Sequence, residues 1–170
     1  MDFFELIQSR RSVRAYIPDP VSDEYLEKIL EAARIAPTAH NNQPFKIIVI
    51  HTKGREEELR RIYGSGWFTQ APLLLCVCGV ISEGWVRGYD RRSYLEVDAA
   101  IVMDHIILAA TALGLGTCWV AAFNSSEAKA ILRVPDDVVP LLFTPVGYPA
   151  DSPKIRERKP LSELVRFESW

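Results

Sequence analysis

The residues best suited to chemistry form two clusters of basic side chains, one near each end of the sequence. Between Ser9 and Arg14, three arginines and two serine hydroxyls fall within six residues, and a second cluster runs from Lys154 to Lys159. A guanidinium group is planar, always charged and rich in hydrogen-bond donors, so such clusters suit a phosphate or a carboxylate. We expect the two ends to meet around one anionic ligand. The alternative is that both clusters are solvated surface.

A segment rich in side-chain amides, between Ala36 and Phe45, is the next candidate. It reads Ala-Pro-Thr-Ala-His-Asn-Asn-Gln-Pro-Phe and leads directly into a predicted strand, Lys46–Ile50. The consecutive carboxamides of Asn41 to Gln43 both donate and accept hydrogen bonds, as the mixed edges of a heteroaromatic ring require. The alternative is an ordinary turn in which asparagine side chains cap their own backbone.

The cysteines and histidines suggest neither a disulfide framework nor a metal centre. The three cysteines are an odd number, and Cys76 and Cys78 alternate in an apolar run, where buried, reduced thiols are favoured over a redox pair. The three histidines have no metal-ligand spacing, and His105 is expected to be a satisfied core histidine. We therefore predict no metal site.

Composition limits the class of protein and its partners. A chain of 170 residues with 48% apolar and 25% charged residues is typical of one globular domain, spanning residues 1–170. The net charge of −2 gives no overall field to attract nucleic acid or an anionic membrane. The start of the chain lacks a signal-peptide pattern, and the apolar run Ile106–Ala110 is too short to span a bilayer. We expect a cytoplasmic protein.

Hydrophobic periodicity, caps and turn residues predict the elements that must position these clusters. Helices are expected near Phe3–Ile7, from the Ser22 cap to before Pro37, and at Arg55–Tyr63, Ser93–Leu113, Asn124–Leu132 and Leu161–Val165. Strands are expected at Lys46–Ile50, Leu73–Val80, Thr117–Ala122 and Leu141–Val146.

Three details of this arrangement can be inferred in advance. The helix Ser93–Leu113 is apolar nearly all round, which predicts burial in the domain or at a subunit interface. Pro145 cannot donate a ladder hydrogen bond, so the strand Leu141–Val146 is expected at a sheet edge or to end there. The irregular segment Ile81–Arg92 is either a mobile flap or a surface loop.

In their order and spacing, these motifs resemble those of the FMN-dependent nitroreductase family, nearly from end to end. The resemblance rests on four stretches: Arg10–Arg14, Ala36–Phe45, Ala112–Trp119, and Gly147-Tyr148-Pro149 followed by Arg156, Arg158, Lys159 and Pro160. It implies an α+β fold with a mixed, mainly antiparallel central sheet flanked by helices on both faces. It also implies an intertwined homodimer that holds FMN at the subunit interface.

The resemblance further implies a set of cofactor-binding residues. Arg10 and Ser12 would hold the FMN phosphate together with Arg156 and Arg158, and Arg14 would lie near the N1/O2 edge of the flavin. Thr38 and Asn41 would contact the flavin or its ribityl chain. The full set is Arg10, Arg11, Ser12, Arg14, Pro37, Thr38, Asn41, Val120, Ala121, Arg156 and Arg158, with the backbone at Val120 and Ala121 near flavin N5 and O4.

The activity implied is hydride transfer from NADH or NADPH through flavin N5 to a small electron-poor acceptor, such as a nitroaromatic, a quinone, an enone or a flavin. Side chains would position the cofactor while the flavin reacts, so no catalytic residue is predicted. Ile81–Arg92 lies where other members insert extra helices, which leaves the acceptor open. The alternatives are a non-enzymatic flavin carrier or sensor, a specialised member that cleaves flavin, removes halogen or oxidises heterocycles, and a phosphate-binding domain without flavin.

Overall fold

The computed structural model of the chain describes residues 1–170. Its helices are α1 Phe3–Ser9, α2 Asp23–Arg34, α3 Glu56–Ile62, α4 Leu95–Ala112, α5 Ser125–Leu132 and α6 Leu161–Leu164. Its strands are β1 Phe45–His51, β2 Leu73–Val80, β3 Gly116–Thr117 and β4 Val138–Gly147. None of the helices is both long enough and apolar enough to cross a membrane.

The strands form one antiparallel sheet in the order β1-β2-β4-β3. A single parallel bridge, between Ser12 and Thr117, adds the segment after α1 to the β3 edge. Helices α2 and α4 pack on one face of the sheet, whereas α3 and α5 pack on the other. This arrangement confirms the predicted α+β fold with helices on both faces.

Strand β2 is buried along its whole length because apolar side chains leave it on both faces. Leu75 and Val77 join the core under α2 and α4, while Cys76 and Cys78 face α3 and α5. The two thiol sulfurs lie 3.5 Å apart and both cysteines are free and buried, which confirms the predicted shared face.

The caps of the helices follow their sequence signals. The Ser22 hydroxyl accepts the Tyr25 N–H at the start of α2, and the Asn124 side chain accepts the Glu127 N–H at the start of α5.

His105 in α4 is half-buried, and its Nδ1 lies 3.0 Å from the Ile101 carbonyl oxygen, as expected for a satisfied core histidine.

Of the two positions predicted for Pro145, the sheet edge is wrong, since β4 lies between β2 and β3, whereas the proline does lie near the end of its strand, at Gly147. Phe143 exchanges both backbone hydrogen bonds with Val120, so the alternation of an antiparallel ladder points the Pro145 nitrogen to the same side. The register there, with Thr117 opposite Val146, places Cys118 opposite the proline. The Cys118 N–H bonds to the Thr144 hydroxyl instead, at 3.2 Å.

The same proline explains why the predicted strand Thr117–Ala122 is wrong in extent. Only Gly116–Thr117 pairs as a strand, followed by an isolated bridge at Val120. Because Pro145 has no N–H to offer Cys118, the ladder between β3 and β4 is interrupted at that position. Apart from the bridge at Val120, the chain from 118 to 122 does not pair with β4, and Ala121 and Ala122 are exposed.

Candidate functional site

The first basic cluster is held along the β3 edge of the sheet. The Val13 N–H donates to the Thr117 carbonyl at 2.8 Å, next to the bridge from Ser12. Gly116 permits this close approach, because a Cβ at that position would lie 2.9 Å from the side-chain carbons of Val13. Arg10 and Ser12 are half-buried on this edge as a result.

The three arginines of this cluster have different surroundings. The Arg11 guanidinium turns back to α1 and donates to the carbonyls of Gln8 and Arg10. The Arg14 guanidinium lies 5.7 Å from the centre of the Trp67 ring, in a cation–π contact. Neither Arg10 nor Arg14 forms a salt bridge. Their charges remain available at the sheet edge.

Two buried acidic groups lie next to these charges. Burial raises the pKa of the Cys118 thiol, while Arg14 and Arg10 lower it. Burial likewise raises the pKa of Tyr16 above its usual range, and its hydroxyl donates to the Val13 carbonyl at 2.8 Å. Cys118 directly follows β3, the strand to which the arginine segment is bonded through Val13 and Thr117. The sequence alone did not predict that the Cys118 thiol would lie beside these arginines.

Backbone hydrogen bonds join the two ends of the chain. The Ile17 N–H donates to the Tyr148 carbonyl and the Ala150 N–H donates to the Ala15 carbonyl, both at 2.9 Å. Beyond this junction, Arg156 and Arg158 are exposed, and the only hydrogen bonds of the Arg158 side chain are to neighbouring backbone. No hydrogen bond links the second cluster to the first within one chain.

The amide-rich segment forms a tight loop that precedes β1. The Thr38 hydroxyl oxygen accepts the Gln43 N–H at 3.0 Å, and the Gln43 side chain donates to the Asn41 carbonyl at 3.2 Å. His40, Asn41 and Gln43 have left-handed φ angles of 54°, 55° and 52°. Non-glycine residues at such angles are strained, and they concentrate at binding and catalytic sites.

Some side chains of this loop have hydrogen-bond partners within the chain, and others have none. Asn42 Nδ2 donates to the Glu83 carbonyl at 3.1 Å, so it links the loop to the segment Ile81–Arg92. The exposed Asn41 carboxamide has no hydrogen-bond partner, and the Thr38 hydroxyl retains its proton for a further acceptor. Pro37 is exposed at the start of the loop. The asparagine side chains do not cap their own backbone, so that interpretation of the segment is wrong. Thr38 and Gln43 close the loop, and the Asn41 carboxamide remains available to a ligand.

The segment Ile81–Arg92 packs against this loop. The Trp85 ring stacks on His40 with the ring centres 5.3 Å apart, and Tyr94 N–H donates to the Trp85 carbonyl at 2.9 Å. Arg87 pairs with Asp90 and lies over the Tyr94 ring. The segment is therefore a folded turn attached to the amide loop.

A residue that sequence reasoning did not assign to the site supports the loop from beneath. Asp98, in α4, accepts the Ala39 N–H on Oδ1 at 2.9 Å, and the residue is only 2% exposed. The signal in the sequence was a carboxylate within a helix predicted to be apolar nearly all round. Its partner could not be identified from sequence, because Ala39 lies 59 residues away.

Within one chain, the basic edge and the amide loop lie at opposite ends of α4. The loop meets the start of α4 through Asp98, whereas β3 follows the end of α4, where the Leu115 N–H bonds to Ala110. At about 1.5 Å of rise per residue, the helix separates them by roughly 20 Å. Val120 and Ala121 follow β3 and so belong to the basic edge.

Comparison with known proteins identifies the class that this fold and these motifs define. The family model described as "Nitroreductase family" matches residues 7–67 and 60–148, so the chain belongs to the nitroreductase family. It is 32% identical to the FMN reductase [NAD(P)H] of Bacillus subtilis, covering 98% of this chain and 74% of that protein. It is 28% identical to the oxygen-insensitive NADPH nitroreductase of Salmonella typhimurium, covering 97% of this chain and 72% of that one.

A solved structure shares the whole architecture. The crystal structure of a nitroreductase family protein from Clostridium difficile 630 superposes with a TM-score of 0.90. The two chains are 38% identical, and the alignment covers 100% of each. The fold seen here is therefore that of the family from end to end.

Proposed function

We propose that this protein is an FMN-dependent oxidoreductase that takes hydride from NADH or NADPH and delivers it to a small electron-poor acceptor. The observation that carries the proposal is the pair of unpaired arginines, Arg10 and Arg14, fixed along the β3 edge in a chain of the nitroreductase family. The FMN reductase and the NADPH nitroreductase to which the chain is similar support the same activity.

The groups on the edge fit the phosphate end of FMN. Arg10 and the Ser12 hydroxyl are half-buried donors at one point of the edge, and no carboxylate neutralises the arginine. Arg156 and Arg158 would complete the phosphate grip from the exposed C-terminal segment. Arg11 contributes positive charge from the end of α1.

The remaining groups fit the ring. Arg14 would place its charge beside N1 and O2, where it stabilises the anionic reduced flavin. Backbone groups at Val120 and Ala121 would face N5 and O4. Pro37, Thr38 and Asn41 would contact the ring or the ribityl chain. A bound FMN would supply the hydride-transfer chemistry at its N5, so the residues of the protein would need to bind and orient the cofactor and exclude water.

The roughly 20 Å between the edge and the loop supports a site shared by two chains. We propose a homodimer in which the basic edge of one subunit and the amide loop of the other hold the same flavin. A groove of about 390 Å³ between α1, α2 and α4 is lined mostly by apolar side chains, including Phe3, Leu108 and Ala112. Exposed apolar surface of this kind marks interaction sites.

The C-terminal segment supports the same assembly. Leu161 is 75% exposed and Phe167 is 88% exposed, which leaves large apolar side chains of this segment mostly uncovered by their own chain. In the proposed dimer, this segment packs on the other subunit. Arg156 and Arg158, just before it, would thereby be carried towards the flavin phosphate.

An absorbance spectrum of the purified protein tests the proposal. A bound flavin gives a yellow protein, and anaerobic addition of NADH or NADPH should bleach it until a quinone or nitroaromatic restores the colour. Bleaching without recovery by any acceptor would favour a flavin carrier. A colourless protein that also fails to bind added FMN would contradict the proposal.

A further inference from the structure

Asp98 is a buried carboxylate that the proposed function does not use. Its Oδ1 accepts the Ala39 N–H at 2.9 Å, but its Oδ2 is buried without any hydrogen-bond partner. Its own helix is otherwise apolar at its buried positions. Leaving a buried polar atom unpaired costs stability, and such exceptions in a native fold call for an explanation.

The bond from Asp98 fixes the part of the loop where the chain is strained. Ala39 directly precedes the two left-handed residues His40 and Asn41. It also follows Thr38, whose hydroxyl closes the loop on Gln43. A rigid helix therefore holds the backbone between Thr38 and Asn41, the two side chains with free hydrogen-bonding capacity.

We infer that Asp98 is a positioning residue for the flavin ring: it holds the Ala39 N–H and thereby sets Thr38 and Asn41 in the orientation that binds. This inference rests on the proposed function. Holding the loop in its bound shape removes part of the ordering cost of binding. The role is separate from folding, because Ala39 is half-exposed and its N–H can bond to water when the carboxylate is absent.

Stability and affinity should therefore respond differently to substitution. Asp98→Ala removes the unpaired oxygen together with the acceptor for Ala39. The melting temperature of the apo-protein should stay within about 3 °C of wild type or rise. The affinity for flavin should fall about tenfold, equally for FMN and riboflavin, because the loop contacts the ring and not the phosphate.

Asp98→Asn supplies the conservative rescue, and Asp136→Ala supplies a matched control. The asparagine side chain keeps an acceptor for the Ala39 N–H, so the Asp98→Asn variant should bind both flavins with an affinity within about threefold of wild type. Asp136 is an exposed carboxylate without a hydrogen bond, and its removal should change nothing. The measurements are thermal unfolding of the apo-proteins and titration with FMN and with riboflavin by flavin fluorescence.

Four outcomes overturn the inference while leaving the proposed function intact. They are wild-type flavin affinity in Asp98→Ala, a loss in Asp98→Asn as large as that in Asp98→Ala, a loss for FMN but not riboflavin, and a melting temperature that falls in parallel with affinity. If Asp98→Ala does not fold, the asparagine variant still decides, since its affinity is measured against the same threefold limit. Wild-type protein that binds neither flavin overturns the proposed function and this inference together.

Discussion

Arg10, Arg11 and Arg14 lie on one short segment, yet their guanidinium groups do different things. Arg11 satisfies carbonyls at the end of α1, Arg14 lies over Trp67, and Arg10 is half-buried without an ion pair. The composition of the cluster predicted an anion site, but not which arginine would face it. Because Arg10 is the half-buried arginine without another partner, we expect it to be the one that faces the anion.

We predict that Arg10→Ala lowers the affinity for FMN about ten- to a hundredfold and the affinity for riboflavin much less. A charge-assisted hydrogen bond contributes roughly 1.5–3 kcal/mol to binding. Riboflavin lacks the phosphate that would form this bond, so the substitution should affect it little. Fluorescence titration of the apo-protein with both flavins measures the difference. Arg87→Ala, which removes a guanidinium already paired with Asp90, is the control and should leave FMN affinity nearly unchanged.

The second cluster is tested by the same titration. Arg158→Ala should also weaken FMN more than riboflavin, and the double variant with Arg10→Ala should lose less than the sum if both grip one phosphate. Equal loss of both flavins in Arg10→Ala would show that the edge is not a phosphate site. Unchanged FMN affinity in Arg158→Ala would leave the second cluster as solvated surface.

The buried phenol beside the edge predicts a pH dependence of stability. Burial raises the pKa of Tyr16 in the folded protein. The phenol therefore contributes its full stabilisation of the fold below the pKa of an unfolded tyrosine, about 10, and this stabilisation is lost progressively as the pH rises above that pKa. Above about pH 10, the free energy of unfolding should fall by up to about 1.4 kcal/mol per pH unit from this group. Tyr16→Phe should reduce that slope in urea unfolding measured from pH 8 to 11, and an unchanged slope would contradict the assignment.

At the scale of elements, local pattern was sufficient wherever one segment determines its own structure. The run Leu73–Val80 is apolar at every position, and β2 has those bounds. The caps at Ser22 and Asn124 likewise depend only on nearby residues. The predicted strand Thr117–Ala122 was wrong because its length depends on Pro145, a residue of another strand. The contact between Asp98 and the loop was missed for the same reason.

Gly116 shows how one element positions another. We predict that Gly116→Ala displaces the basic segment, because the new Cβ would lie 2.9 Å from the Val13 side chain. Overpacking of this kind costs about 1–3 kcal/mol, and FMN affinity should fall with it. Thermal unfolding and flavin titration measure the two effects.

A compensating change separates this packing effect from a general loss of stability. Val13→Ala removes two of the three obstructing carbons and leaves only the Val13 Cβ, so the double variant with Gly116→Ala should recover part of the affinity. Gly64→Ala is the control, since nothing lies within 4 Å of its added Cβ. A Gly116→Ala variant with wild-type stability and affinity would show that the close approach is not required.

At the scale of the whole molecule, the two halves of the candidate site are separated by the length of α4. Sequence could predict each half from its residue types and could suggest an interface from the apolar surface of the helix. It could not show that one chain holds the halves roughly 20 Å apart, because that follows from which end of α4 each half meets. The exposed apolar side chains of the C-terminal segment also support the proposed homodimer.

The measurement that tests the shared site most directly is FMN titration of a mixed dimer. One subunit carries Arg10→Ala, which damages the edge, and the other carries Asn41→Gly, which removes the loop amide while glycine keeps the left-handed backbone. Each homodimer of a single variant should bind weakly at both sites. The two subunits are co-expressed with different tags so that only the mixed dimer is purified.

If each site combines the edge of one subunit with the loop of the other, the mixed dimer has one undamaged site and one site damaged twice. We predict about one FMN per dimer bound with wild-type affinity, and correspondingly half of the wild-type NAD(P)H-dependent activity. If each chain forms its own site, both sites carry one substitution. A mixed dimer with no site of wild-type affinity would contradict the account.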